Sequence, residues 1–318
     1  MDADNHSHLL LIISHDCDIY KDLIEQENLP GLSIEAVKDP YLSVLDLEKF
    51  DLVFGEPSII SPILDRLINV KWIQSTWAGV ERLLRPGMKR DYILTNVRYV
   101  YGQLLSEYVM GYLILVERKI LSRWQSQQMK IWDPSSNGTL KGKLLGLLGV
   151  GTVGTQIALS AKFFGMHVYG FTRQSESCSY VDRYFHAGSW NEFARNLDYL
   201  VCTLPATEAT KNLVDTAALS ALPGKAWIVN VGRGSTLDET SLLRALRERS
   251  ISGAILDVFN EEPLPPENPL WNLPNIIITS HTAAQNNPPE IAEIFIENYS
   301  RLIHCEPLKY QVDFDLGY

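Results

Sequence analysis

Apolar residues recur along this chain in short continuous runs, separated by stretches with helical spacing, and the alternation is sustained from end to end. In the first hundred residues Leu9–Ser14, Ser33–Val37, Asp51–Gly55, Lys71–Ser75 and Tyr92–Asn96 read as strands. A second series follows at Lys143–Leu148, His167–Phe171, Tyr199–Leu204, Ala226–Val231, Gly253–Val258 and Asn275–Ser280. Short apolar runs between polar turns suit strands covered on both faces, and strands alternating with helices imply parallel sheets. Between the two series, Leu104 to about Met129 predicts one long helix with only Gly111 as an internal breaker. The segment Asp133-Pro134-Ser135-Ser136-Asn137-Gly138 then reads as a turn-rich connection, and Pro289–Leu302 predicts a helix near the end of the chain.

The expected fold class is α/β, with two Rossmann-like or flavodoxin-like parallel-sheet domains and an interdomain active-site cleft. The last helix is expected to return to the first domain. The boundaries that follow are 1–104 plus 286–318 for a discontinuous substrate-binding domain, and 105–285 for a dinucleotide-binding domain.

The assignment of the second domain rests on Gly149-Val150-Gly151-Thr152-Val153-Gly154, which directly follows the run Lys143–Leu148 and precedes the helix-like Thr155–Phe164. A G-x-G-x-x-G in strand–turn–helix context is a dinucleotide site. The first glycine allows the tight turn, the second lets the pyrophosphate approach the backbone, and the third lets helix and strand pack closely. The helix start adds unpaired N–H groups and a partial positive charge. About 20 residues beyond such glycines an acid commonly accepts hydrogen bonds from the ribose 2′-hydroxyl of NAD. This chain has Thr172, then Arg173, Gln174 and Ser175. A cation with several donors suits a 2′-phosphate instead, so NADPH is the expected preference, with NADH possible.

Composition narrows the partners. The chain has 318 residues, 46% hydrophobic and 21% charged, enough for two cored domains and unlike a disordered chain. A net charge of −10 disfavours nucleic acid and anionic membranes as partners. No run approaches the roughly 20 apolar residues of a membrane span, and Leu9–Ile13 does not read as a signal peptide, so a cytoplasmic location is expected. The four cysteines, Cys17, Cys178, Cys202 and Cys305, lie far apart, which fits a reducing compartment and gives no metal-ligand spacing. His6 and His8 read as solvated side chains near the start of the chain.

Three polar residues stand just after three successive strands: Arg233, Glu262 and His281. Parallel strands open their carboxyl ends onto one edge, so the three can converge there. Beside a nicotinamide such a trio supports carbonyl reduction. Negative charge grows on the carbonyl oxygen as hydride reaches carbon, and it needs a proton and a cation. His281 is the natural proton donor, with Glu262 orienting the ring and favouring its protonated form. Arg233 would grip a substrate carboxylate and polarise the adjacent carbonyl. The substrate expected from this is a 2-oxo acid.

With these residues in view, the chain resembles the D-isomer-specific 2-hydroxyacid dehydrogenase family. The resemblance is carried by Gly146–Gly154, Asn230-Val231-Gly232-Arg233-Gly234, Leu256–Pro263 and Ser280-His281-Thr282-Ala283, with Gln74–Val80 and Glu306-Pro307-Leu308 extending it over nearly the whole chain. It implies Arg233, Glu262 and His281 as the catalytic set, His281 lying against the cofactor as well. It also implies Asp257 at the nicotinamide carboxamide, Leu204 and Pro205 on the adenine side, and Val231 and Gly232 in the cofactor-binding set. Trp77-Ala78-Gly79-Val80 matches the loop whose backbone N–H groups receive the substrate carboxylate. A homodimer is the assembly the resemblance implies. The sequence departs from the family pattern at Thr172, at the bulky Trp77, which is similar to the glyoxylate/hydroxypyruvate reductase branch, and at Tyr99 and Tyr101. Two other functions remain open on the same scaffold: a non-catalytic NAD(P)-sensing co-repressor-like protein, and a formate- or phosphite-type dehydrogenase.

Overall fold

The computed structural model describes residues 7–38 and 45–317, and among these, twelve strands form two sheets whose strand-to-strand ladders are all parallel. The first sheet uses β1 (His8–Ile13), β2 (Leu32–Val37), β3 (Leu52–Gly55), β4 (Trp72–Ser75) and β5 (Ile93–Thr95) in the order β2-β1-β3-β4-β5. The second uses β6 (Leu144–Leu148), β7 (His167–Phe171), β8 (Arg183–Phe185), β9 (Tyr199–Cys202), β10 (Trp227–Asn230), β11 (Gly253–Leu256) and β12 (Ile276–Ile278) in the order β12-β11-β10-β9-β6-β7-β8. The described helices are α1 (Cys17–Gln26), α2 (Pro57–Ile60), α3 (Gly102–Glu117), α4 (Ile120–Gln128), α5 (Thr152–Phe163), α6 (Trp190–Ala194), α7 (Thr216–Ser220), α8 (Glu239–Glu248) and α9 (Pro288–Ile303), with short 3-10 turns between. By internal contacts the chain divides into one unit of Met1–Val100 and Asn286–Tyr318, and another of Tyr101–Gln285.

The first unit has the strand order of flavodoxin-like sheets. Its strands are apolar on both faces because helices cover both: Leu10, Leu11, Ile12 and Ile13 are all fully buried. On one face α9 supplies the cover. Phe295 stacks on Trp72 with ring centroids 5.1 Å apart and on Phe54 at 5.1 Å, and Tyr20 of α1 meets Phe54 edge-on. The Asn298 amide, buried on the same helix, donates to Gln74 Oε1 at 3.1 Å, so the helix is held by a polar anchor as well as by aromatic area. His8 is not solvated as expected. It belongs to β1, is buried, and pairs through Nδ1 with Asp51 at 2.6 Å, because the strand begins earlier than the apolar run suggested. His6 lies outside the described residues.

The second unit shows the nucleotide-binding order, with the topological switch between β6 and β9. The expected long helix is two. It breaks after Glu117, with Lys119 in the left-handed region at φ 54°, and α4 departs as a separate segment. On α3, Ser106, Val109, Met110 and Leu113 make the buried stripe, and Ser106 Oγ donates to Ser160 Oγ of α5 at 2.7 Å. No residue of α4 is buried. The strand β8 has no counterpart among the strands expected from sequence. Its three residues, Arg183-Tyr184-Phe185, are too few for a periodic signal, and they pair at the sheet edge with Tyr169–Phe171.

Candidate active site

Every strand of the second sheet points its carboxyl end to one edge, and the loops leaving that edge carry the residues singled out above. The glycine turn leaves β6. Gly149 adopts φ 98°, a left-handed conformation that disfavours any side chain, and its N–H donates to Phe171 O at 3.0 Å. Gly151 then caps α5 without a side-chain bond, and the space where its Cβ would stand is open to 4 Å. An open concavity at the N-terminus of a helix, lined by backbone N–H groups, fits a dinucleotide pyrophosphate. Leu204 stands against both neighbouring loops: its side chain lies beside Gly149, and its backbone abuts Gly232. Gly149, Leu204 and Gly232 are therefore brought together on the switch-point side of the edge, with Val231 tied by its N–H to Cys202 O at 3.1 Å. Pro205 follows Leu204, and its carbonyl accepts from Thr210 Oγ1.

The loops after β10 and β11 interlock. A Cβ on Gly234 would fall 2.0 Å from the Phe259 carbonyl carbon, so only glycine lets the Arg233 loop reach the loop that carries Glu262. Asn230, fully buried at the end of β10, shapes the Arg233 loop from inside: its amide donates to Arg233 O at 2.9 Å and its Oδ1 accepts from Gly232 N–H at 3.1 Å. The guanidinium donates from Nη1 to Gly232 O at 2.8 Å.

His281 and Glu262 form a direct pair, Nδ1 to Oε2 at 2.7 Å, and the other carboxylate oxygen accepts from Phe259 N–H at 2.9 Å. A carboxylate only accepts, so Nδ1 carries the proton of this bond and Nε2 is the ring nitrogen left for other chemistry. The bond to Glu262 raises the His281 pKa above its ordinary value, against desolvation, with Glu262 and Asp257 charges adding to the rise and Arg233 opposing it. Burial pushes Glu262 up, but the His281 bond, the Phe259 N–H and the His281 and Arg233 charges outweigh it and leave the carboxyl below its usual range. Arg233 acts electrostatically on both members, so the three charges share one neighbourhood. The His281 side chain stays 53% exposed, accessible to a ligand.

A second carboxylate holds the His281 loop in place. Asp257 is buried at the end of β11; its Oδ1 accepts from Thr279 Oγ1 and from Thr282 N–H at 2.9 Å, its Oδ2 from Ala283 N–H at 3.0 Å, and its carbonyl from His281 N–H at 2.8 Å. His281 itself sits at φ 55°, a left-handed conformation that these bonds hold. The Tyr108 hydroxyl of α3 completes the chain by donating to Thr279 Oγ1 at 2.7 Å. The sequence assigns no role to Tyr108 or Thr279, and Asn230 stands in the stretch Asn230–Gly234 without a role of its own. Tyr108 lies 171 positions from Thr279, and no local pattern announces such a contact.

At the outer side of the edge, Thr172 follows β7, and its Oγ1 donates to Ser175 O at 2.8 Å to close a turn through Arg173 and Gln174. In the first unit, Trp77-Ala78-Gly79-Val80 follows β4. The Trp77 N–H already donates to Ser75 Oγ at 2.9 Å, and Asn96 donates to Ala78 O at 2.8 Å, which fixes the loop. Tyr99 is exposed and packs on Tyr310, while burial pushes the Tyr101 phenol up, well above its ordinary value.

Residues 110–283 match the sequence profile described as D-isomer specific 2-hydroxyacid dehydrogenase, NAD binding domain. The chain belongs to this family. It is 30% identical over 217 residues to glyoxylate/hydroxypyruvate reductase A of Klebsiella pneumoniae, a match covering 68% of this chain and 70% of that relative. Among solved structures, a D-isomer specific 2-hydroxyacid dehydrogenase family protein from Aeromonas salmonicida superposes with a TM-score of 0.92 at 37% identity, covering 97% of this chain and 100% of that one. Another family member, from Xanthobacter autotrophicus and bound to NADPH and MES, gives a TM-score of 0.87 at 28% identity, covering 98% and 100%. This dehydrogenase is thus an NAD(P)-dependent oxidoreductase of the branch close to the glyoxylate/hydroxypyruvate reductases, reducing a 2-oxo acid by hydride transfer. Among the described residues, no helix is long and apolar enough to cross a membrane.

Proposed function

We propose that the enzyme reduces glyoxylate, hydroxypyruvate or a similarly small 2-oxo acid to the D-2-hydroxy acid, with NADPH preferred over NADH. The observation that carries this is the 2.7 Å His281–Glu262 pair, under the field of Arg233, on the sheet edge that also bears the glycine turn. The bound cofactor would supply a hydride to the carbonyl carbon. His281 protonates the developing alkoxide from Nε2, and Glu262 balances the imidazolium before transfer and orients the ring. Arg233 holds the substrate carboxylate and carbonyl oxygen by its planar donors. Asp257 carries the carboxamide end of the nicotinamide, Leu204 and Pro205 the adenine side, and Gly149 to Gly154 with Val231 and Gly232 the phosphates and neighbouring sugars.

Thr172 in place of an acid supports the NADPH preference, as does the NADPH held by the Xanthobacter relative. The net charge of −10 disfavours nucleic acid and anionic membranes as partners. Assembly as a homodimer is supported by α4 and the segment after it, where Ile120, Leu121, Trp124, Met129, Ile131 and Trp132 are all exposed, Trp132 by 92%. Four free cysteines agree with a reducing, cytoplasmic setting. The decisive assay mixes the protein with NADPH or NADH and a panel of glyoxylate, hydroxypyruvate, pyruvate and bulkier oxo acids, following loss of nicotinamide absorbance. Highest kcat/KM with a small oxo acid and NADPH is expected; a preference for bulky acids or for NADH refutes the corresponding part.

A further inference from the structure

The loop that follows β7 is tied to β8 by a side chain that the reaction does not use. Phe171 and Phe185 are partners in the ladder, and Thr172 N–H donates to Phe185 O at 3.0 Å, so His186 stands directly beside Thr172 at the sheet edge. Its backbone is fixed by Ser189, whose Oγ accepts from His186 N–H at 3.0 Å and donates to His186 O at 2.6 Å. Its ring then meets two oxygens that can only accept: Nδ1 lies 3.0 Å from Thr172 O, with the Thr172 hydroxyl at 3.5 Å already donating to Ser175 O, and Nε2 lies 2.8 Å from Glu176 Oε1. A neutral imidazole has one N–H and can satisfy one of them; the imidazolium satisfies both. The ring therefore bridges the first and last residues of the loop Thr172–Glu176.

We propose that His186, as the imidazolium, sets the preference for the phosphorylated cofactor, by holding the Thr172–Glu176 loop in shape and by neutralising Glu176 beside the place where the ribose 2′-substituent is read. The inference rests on the NADPH reading above and deepens it. Thr172 occupies the position at which NAD-using relatives of this fold bear an acid, yet Glu176 brings a carboxylate back into the same loop. Paired with a protonated His186, that carboxylate contributes no net charge. Beside a neutral His186 the pair carries one negative charge more, and that charge opposes a 2′-phosphate. The two states thus differ by one full charge at the reading position and by one of the two bonds that shape the loop.

The charge of Glu176 also reaches the Tyr184 phenol, where burial raises the pKa and that charge adds to the rise. Arg183 on β8 is turned to Glu192 of α6 at 2.6 Å and lies over the Phe185 ring, and Arg173 belongs to the loop being held. The bond to Thr172 O and then that to Glu176 raise the pKa of His186, with desolvation opposing and the Glu176 charge adding to the rise. The sign follows: the brace is fully formed below the ordinary histidine value near 6.5 and is lost as pH rises through the raised one. His186 is a positioning residue in this scheme, acting on the cofactor through the loop and through Glu176.

The test is calorimetric binding of adenosine 2′,5′-bisphosphate and adenosine 5′-monophosphate, from about pH 6 to about pH 9, the range in which a histidine titrates. The wild-type protein should prefer the bisphosphate, and the preference should fall about fivefold across the range, the upper end for an exposed charge pair. Ionisation of the ligand phosphate near pH 6 works in the opposite direction, so the fall cannot come from the ligand. H186N keeps a donor for Thr172 O but not the charge. It should bind the monophosphate like wild type, prefer the bisphosphate less, and show no fall. E176Q has no carboxylate to expose, so its preference at alkaline pH should stay above the wild-type value. An H186N protein with wild-type preference and pH dependence overturns the role of His186, and so does an equal loss of both ligands, which marks a merely structural residue. A wild-type protein that binds both ligands equally at every pH overturns the NADPH reading and this inference with it.

Discussion

Gly151 and Gly154 stand three positions apart in one turn, yet replacing each by alanine should break different things. At Gly154 a Cβ would lie 2.4 Å from Gly149 O and 3.2 Å from its carbonyl carbon. An ordinary carbon–oxygen approach is about 3.3 Å, so the overlap is about 0.9 Å, against backbone that cannot swing aside. Forcing such a methyl into a packed site costs about 1–3 kcal/mol, and the severity here points to the upper end. Alanine's better helix propensity returns about 1 kcal/mol, leaving a net loss of about 2 kcal/mol. For a unit of this size that lowers Tm by about 4–8 °C. At Gly151 nothing lies within 4 Å of the added Cβ, and φ −86°, ψ −154° is open to alanine. The cost is the change of cap residue, about 0.5–1 kcal/mol, and a fall in Tm of no more than about 4 °C. The methyl does fill the concavity where the pyrophosphate must approach. Loss of one hydrogen bond to a charged oxygen, about 1.5–3 kcal/mol, weakens NADPH binding by between about tenfold and about a hundredfold. Thermal melts of the ligand-free protein and fluorescence titration with NADPH measure the two effects separately. A G151A protein with wild-type NADPH affinity, or a G154A protein with wild-type Tm, refutes the reasoning.

The raised His281 pKa keeps the proton donor charged above the ordinary histidine range, so kcat/KM for reduction should fall as pH rises through that raised value. In E262Q the largest cause of the rise is gone, and the alkaline limb should move to lower pH; an unmoved limb would dissociate Glu262 from the titration. H281A should lower kcat by at least about a hundredfold with NADPH affinity nearly kept, as single-turnover kinetics and titration would show. Y108F removes the donor to Thr279 and should cost about 1 kcal/mol, lowering Tm by about 2–4 °C without moving the pH profile. Double replacement W124E/W132E should convert a dimer to monomer in sedimentation velocity; a wild-type monomer would refute that assembly.

Much of this architecture can be read from one chain because parallel strands are covered on both faces. Their runs are therefore apolar throughout, and the residue that follows each run lands on a single edge. That rule led from Ala226–Val231, Gly253–Val258 and Asn275–Ser280 to Arg233, Glu262 and His281 without any coordinate. What escaped is what depends on tertiary partners. The edge strand Arg183–Phe185 is too short to carry a period, and the break at Lys119 has no proline or adjacent glycine to mark it. His8 reads as solvated because its ladder partner Leu32 and its ring partner Asp51 both lie far along the chain. The same holds for the Tyr108–Thr279–Asp257 chain and the His186 bridge, whose members are ordinary polar residues until the fold sets them side by side.

The stacking of Trp72 on Phe295 also has a bearing on how the protein is made. On the ribosome, at about 5–20 residues per second, roughly 10–45 s separate the emergence of the tryptophan from that of the phenylalanine. Throughout that interval one apolar face of the first sheet awaits its covering helix, while the contiguous stretch between can already complete its own core. The nascent chain thus exposes an aggregation-prone surface for most of its synthesis, and slowing the translation of its final third should raise its demand for chaperones.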